Sequence, residues 1–492
     1  MSERKKRIGT VLIFAIPTIY LLIMIKCALN RSIWTDEAFS LQMIRYGYGK
    51  MVGLTAQDVH PPLYYFILKF AVDMIHVFLP DASSVMIGKI TSSVPFFILI
   101  IFSGWKLKKE YGSKFAIVFD ILLLSMPHML QYAVEIRMYS WAMLFVFAAF
   151  YNFMNILCNE TSVKRNWICL TIFSLAAAYT HYFAAVAAAE LFLCMFIWSL
   201  IRHDKTTMIK EAIVAVCGVG LYFPWLIVLH AQMSQIHHNY WISKPGFSDI
   251  QKIIKYPVNP EGNLNISRLI YVILFLLILC SIVYVIYKKN NRLEILMIRC
   301  NGFLMLIFVE TVGITVSLCY QPIFIARYLL PAFVCMDFSF AYLISQQNKK
   351  MMLCWGGILM LLLLYDPRLY WKNELSNDWN YEQCEKLIEN ADGHIIISDY
   401  LNAASVFALD ENMDIYITQQ FDNSVYYKVF QNIHPAKDLQ EDISRENLIF
   451  FYQDDLNDIK KLMDQYSVDR SKAENKYLKY THGFKAVYIK AE

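Results

Sequence analysis

The sequence predicts a polytopic α-helical membrane protein with a small α/β domain at its C-terminal end. Three observations point to that class. Hydrophobic residues make up 57% of the 492 residues and charged residues only 17%, against ~25% charged residues in an ordinary soluble protein. The apolar residues are clustered: stretches of roughly 20 recur from Ile8 to Tyr365, each long enough to cross a ~30 Å hydrocarbon core. After about Asp366 the composition changes to that of a soluble domain.

The expected spans are 8–29, 84–105, 115–132, 140–158, 167–180, 182–201, 211–230, 267–287, 295–319, 325–345 and 351–366, about eleven transmembrane helices. The first follows the basic run Arg4 to Arg7 and is longer than a signal-peptide core, so it reads as an uncleaved span. Basic residues fall on alternate connections: Lys106 to Lys114, Lys164 and Arg165, Arg202 to Lys210, Lys288 to Arg292, and Lys349 and Lys350. That alternation sets the N-terminus inside and the C-terminal domain outside, in a multi-pass protein of the cell membrane. Residues 62–80 are interrupted by Lys69, Asp73 and His76 at spacings of three and four. One polar and one apolar face make this an interfacial helix rather than a crossing.

The membrane part, 1–366, includes a first outer loop at 30–83. Residues 367–492 alternate short β-rich runs with polar helical stretches, which suggests an extracytoplasmic α/β layer. Most of the eleven cysteines sit in apolar segments, where a thiol acts as a small hydrophobe, and Cys384 is alone in the tail. No zinc pattern occurs. The net charge of +4 is modest, and no nucleic-acid partner is expected.

Four outer segments carry residues suited to chemistry. Trp34-Thr35-Asp36-Glu37 follows the first span, and by itself reads first as an N-cap with first-turn carboxylates. Asp58-Val59-His60-Pro61-Pro62-Leu63-Tyr64-Tyr65 reads as a proline turn opening a surface helix. Glu135-Ile136-Arg137-Met138-Tyr139 and Ala326-Arg327-Tyr328-Leu329-Leu330-Pro331 each place an arginine at the outer boundary, where it can simply snorkel. His237 and His238 read as solvated loop residues. The acids Asp120, Glu190, Glu310 and Asp337 lie inside apolar spans and support an alternative, a polytopic transporter or lipid flippase.

Taken together and in order, the acidic pair, HPPLYY, ExRMY, the Thr180-His181-Tyr182-Phe183 bend and ARYLLP resemble the GT-C glycosyltransferases of family 39 over residues 1–345. That group includes the protein O-mannosyltransferases, with the lipid A aminoarabinose transferases as cousins. Lys89 is a departure, since relatives commonly carry arginine there. The resemblance implies a GT-C type fold and a membrane glycosyltransferase, a hexosyl- or pentosyltransferase with a polyprenyl-phosphate sugar donor. The acceptor stays open between a protein, a glycolipid and a cell-wall glycan. It assigns Asp36 as the general base, a role suited to a carboxylate beside the reacting oxygen. Glu37 and Glu135 are further catalytic candidates. Arg137 and Arg327 suit the leaving phosphate because a guanidinium offers a bidentate fork, with Tyr328 and His181 beside them. Asp58 and His60 are chemically suited to a divalent metal, with structural roles equally open.

Overall fold

The computed structural model describes residues 3–29, 33–158, 163–236, 242–258, 293–348 and 354–358. In the C-terminal part it describes 393–397, 408–409, 414–417, 424–435, 447–452, 473–476 and 485–489, with isolated positions between 275 and 287 and at 350, 351, 361, 438 and 464. The expected spans 267–287 and 351–366 lie mostly outside the described residues, as do His237, His238 and Cys384. The protein is mostly helical. Among the described residues six helices are long and apolar enough to cross a membrane: Ser84–Tyr111, Tyr139–Cys158, Tyr182–Ile201, Lys205–Ser234, Asn301–Cys319 and Ala326–Ser345. Each overlaps an expected span.

The chain forms two compact units. The first contains Met1–Lys26, Val59–Ile67 and Lys89–Leu369. Its core is a cluster of phenylalanines, in which Phe338 lies 5.0 Å from Phe115 and 5.5 Å from Phe150, and Phe119 lies 5.7 Å from Phe147. These rings tie three helices together, with edge contacts that add to their area burial.

Backbone groups lost to proline find partners elsewhere in this core. Pro95 has no N–H for the carbonyl of Thr91 one turn back, and the Trp141 indole donates to that carbonyl at 3.2 Å. Gly302 allows a close helix crossing, because a Cβ there would collide with the Cys335 carbonyl. Its N–H donates to Ser339 Oγ at 3.2 Å, and such small-residue contacts are what membrane helices use to approach.

The expected span 115–132 differs. Its helix, Ser113–Ser125, stops at Met126, which takes an extended conformation (φ −65°, ψ 143°) because it precedes Pro127. His128 follows with φ 71°, and a short helix, Met129–Val134, leads into the Glu135–Met138 bend. The break ends the helix short of the expected span, and His128 is stacked on Tyr256 at 4.1 Å.

The second unit contains Cys27–Asp58, Leu68–Gly88 and Tyr370–Glu492. Its strands are β1 Gly393–Ile397, β2 Ile415–Ile417, β3 Ile433–Pro435, β4 Asn447–Tyr452, β5 Ala473–Lys476 and β6 Lys485–Ile489. They form one sheet in the order β3-β2-β1-β4-β6-β5. The β3, β2, β1 and β4 neighbours run parallel, and β6 runs antiparallel to both β4 and β5. The helix Leu63–Phe78 enters this unit at Leu68 and exposes Phe70, Met74, Val77 and Phe78. Those positions share one helix face.

Candidate active site

In the second unit, the helix Thr35–Met43 opens directly after Trp34 and carries both acids in its first turn. Glu37 is buried and its Oε2 accepts the Trp34 N–H at 3.2 Å. It thereby satisfies one of the donors that a helix start leaves open. Asp36 is half-buried, and its backbone carbonyl accepts the Ser40 hydroxyl at 2.8 Å. The two neighbouring carboxylates therefore occupy different environments, one capping the helix and one at its flank.

This helix is held by the C-terminal part of its own unit. Phe39, one turn beyond Asp36, meets the buried Phe430 with ring centroids 6.2 Å apart. Arg45 Nη2 donates to the Leu409 carbonyl at 2.8 Å, and the Tyr46 hydroxyl reaches the Val429 carbonyl at 2.9 Å. Lys428 Nζ donates to Gln57 Oε1 at 2.6 Å. Backbone carbonyls as acceptors fix the docking through chain shape.

In the first unit, four of the sequence-nominated residues converge. Arg137 Nη2 lies 3.4 Å from His60 Nε2. A guanidinium can only donate, so His60 accepts at Nε2 and carries its proton on Nδ1. The His60 ring lies 6.0 Å from that of His181, which lies 5.0 Å from Tyr328. His60, Arg137, His181 and Tyr328 are each at most 8% exposed. The protein folds this way locally because His181 sits at the start of Tyr182–Ile201, where its Nδ1 accepts the Phe183 N–H at 3.1 Å. In the neutral ring the proton is then on Nε2. Burial, with His60, Arg137 and Arg327 close by, holds the His181 imidazole well below its ordinary value. It stays an uncharged donor at neutral pH, and both guanidiniums lie within its electrostatic reach.

Glu135 is 6% exposed and stands at the end of Met129–Val134, with its carbonyl accepting the Arg137 N–H at 2.7 Å. The bend thus fixes the Glu135–Arg137 backbone. Lys89 is also buried in this unit, at 3% exposed. Asp36, Glu37 and Asp58 belong to the second unit.

Among the described residues no group of three or more His, Cys, Asp or Glu is placed to hold a metal ion. His60 directs Nε2 at a guanidinium, a charge that opposes a cation in the same place.

Beside the cationic cluster lies a cavity of about 420 Å³, lined by His60, His181, Phe183 and Tyr328 and otherwise mostly by Val, Ala and Leu side chains. Sequence reasoning missed Phe183, stacked on Tyr328 at 5.3 Å, and Tyr139, 5.6 Å from His181. Both stand within the motifs already singled out, where an aromatic next to a polar residue was the available signal.

No family model and no curated protein matches this chain. Solved structures do. ArnT from Cupriavidus metallidurans in the apo state aligns with a TM-score of 0.56 at 10% identity, over 96% of this chain and 97% of that one. The structure of the same protein bound to undecaprenyl phosphate aligns with a TM-score of 0.59, at the same identity and coverage. ArnT is a lipid A aminoarabinose transferase of the GT-C type, a group that the order of motifs resembles. Across nearly its whole length, the chain has the fold of ArnT.

Proposed function

We propose that this protein is a membrane glycosyltransferase that moves a sugar from a polyprenyl-phosphate donor to an acceptor hydroxyl or amine on the outer face of the membrane. One observation supports this above the others. His60, His181 and Tyr328 line a mostly apolar cavity, and Arg137 stands behind His60, 3.4 Å from its Nε2. A guanidinium charge beside a mostly apolar cavity suits a ligand with an anionic head and a hydrocarbon tail. The fold is that of ArnT, solved with undecaprenyl phosphate, and this agrees with the reading.

In the reaction, the acceptor oxygen or nitrogen attacks the anomeric carbon while its proton passes to the Asp36 carboxylate. The bond between that carbon and the lipid phosphate oxygen breaks, and its electron pair stays on the phosphate. Arg137 and Arg327 meet the added charge with charge-assisted hydrogen bonds, and His181 donates from Nε2. Glu37 serves the helix start. Glu135 serves to orient the bend that carries Arg137.

The placement that goes with this reading is eleven crossings, the N-terminus inside, and the α/β domain of residues 367–492 outside. The acceptor's class remains a protein, a glycolipid or a cell-wall glycan. The transporter alternative loses one of its acids, because Glu190 accepts from Asn301 Nδ2 at 3.0 Å and from Cys194 Sγ at 2.9 Å. That carboxylate has a packing role between helices.

The test is direct. Purified protein incubated with a polyprenyl-phosphate sugar and envelope extract as acceptor source should release polyprenyl phosphate, followed by mass spectrometry. Unchanged donor crossing the bilayer of a proteoliposome without sugar release would instead identify a flippase.

A further inference from the structure

Glu190 is hydrogen-bonded from two sides, but another acid of the spanning helices, Glu211, is not. It stands on the helix Lys205–Ile236 and is 5% exposed, and its Oε2 is buried with no hydrogen-bond partner. It lines a cavity of about 440 Å³ between this helix and Tyr182–Ile201. The other walls are apolar, among them Phe192, Phe196, Met208 and Ile209. This cavity is separate from the one beside His181. That one is lined from the same helix by Leu226 and Leu229, and Leu226 lies about 22 Å farther along the axis than Glu211.

A buried carboxyl group costs free energy unless something meets it, and an acid facing a cavity within a membrane span is a place to hold a ligand. What can meet it is set by access. Phe196 and Ile209 are walls of the cavity and are also 46% and 62% exposed, so it opens at the surface of two spanning helices, where the surroundings are lipid. A small cation from water would have to shed its hydration among these side chains. A lipid amine brings its charge on a body that the apolar walls accept. The 32-residue helix is longer than the ~30 Å hydrocarbon core is thick, so its first turns reach the headgroup layer. Glu211 lies about 9 Å from the helix start, and the exposed Lys205 and Lys210 stand on the same turns.

We propose that the Glu211 cavity binds the primary ammonium headgroup of a bilayer phospholipid of the phosphatidylethanolamine type. The Glu211 carboxylate accepts charge-assisted hydrogen bonds from the ammonium, and the lysines of the same turns suit the lipid phosphate. The quaternary ammonium of phosphatidylcholine has no N–H to donate, and phosphatidylglycerol carries no cation, so the site tells these lipids apart. It is independent of the reading of the donor cavity.

For the test, the full-length protein is reconstituted into vesicles of equal parts dioleoyl phosphatidylethanolamine, phosphatidylcholine and phosphatidylglycerol. It is then extracted again in mild detergent, and the lipids it retains are measured by mass spectrometry. The wild-type protein should retain phosphatidylethanolamine over each of the others by at least roughly fivefold, the scale of one hydrogen bond to a charged group at a partly hydrated site. Glu211→Gln keeps the side chain's shape and removes its charge, and should bring the lipids to near parity. Ala215→Phe fills the cavity, which Ala215 lines, and leaves the carboxylate in place. It should abolish the preference as well, and it carries the test if Glu211→Gln does not fold. Any wild-type result other than a preference for phosphatidylethanolamine overturns the proposal; a preference for phosphatidylglycerol would mean that the lysines alone select an anionic lipid. A preference that survives either substitution overturns it too.

Discussion

Asp36→Asn is expected to keep the fold and the donor affinity and to lower sugar transfer at least ~100-fold, the scale of a missing general base. The side chain keeps its shape and loses only the ability to take a proton. Its neighbour supplies the contrast. Glu37 is buried, and its carboxylate is committed to the Trp34 N–H at 3.2 Å. Glu37→Ala should therefore act on the helix start, costing about 1 kcal/mol of stability, with a much smaller effect on turnover. Single-turnover transfer, measured on variants of matched thermal stability, separates the two. Near-normal turnover in Asp36→Asn would leave Glu37 or Glu135 as the base.

The expected loss in Asp36→Asn depends on where its helix is held. Misplacing a reacting group by about 1 Å can cost on the order of a hundredfold in rate, so the carboxylate needs a fixed platform. The Phe39–Phe430 contact and the bonds from Arg45 and Tyr46 to the carbonyls of Leu409 and Val429 supply one within the same unit. Part of the sequence far from the motifs thus supports the residue that the motifs nominate.

That long-range support marks the limit of what could be read from the chain alone. Six spans were legible because a lipid-facing helix needs an uninterrupted apolar run, and such runs survive whatever the tertiary packing. The motifs were legible because His60, Arg137, His181 and Tyr328 each stand at or close to a helix start, where a polar residue interrupts the apolar pattern. The break at Met126 was missed although Pro127 marks it, because the apolar run on both sides hides a change of direction. The hydrogen-bonded set in which the Tyr182 hydroxyl accepts from the Trp225 indole and donates to Gln232 Oε1 was missed for a different reason. Its members are 43 and 50 residues from Tyr182, and nothing local distinguishes an amide that lines a cavity from one that faces the headgroups. For His60 the sequence leaves a metal-binding and a structural role both open. Its partner Arg137 lies 77 residues away, beyond the reach of any spacing rule.

The same convergence sets the expectation for the arginines. Arg137 is 4% exposed and engages His60, whereas Arg327 is half-buried, and both act electrostatically on His181. If they clamp the lipid phosphate, each binds it in the ground state and more tightly as the sugar departs and charge builds up. Arg327→Ala should then weaken donor binding by roughly 1.5–3 kcal/mol, the range for a charge-assisted hydrogen bond, and should slow transfer further. Arg327→Lys should recover only part of this, since a point charge cannot reproduce the planar fork. Arg137→Ala should cost more, because it also removes the donor to the buried His60 Nε2 and so weakens the fold around it. If these side chains only snorkel to the interface, the alanine variants will lose stability or expression, while donor affinity in the folded protein stays unchanged. The measurement is donor binding to detergent-purified variants of matched thermal stability. Unchanged affinity in both alanine variants would move the phosphate elsewhere in this unit, where the buried Lys89 is the next cation to replace and His60 the next hydrogen-bonding group.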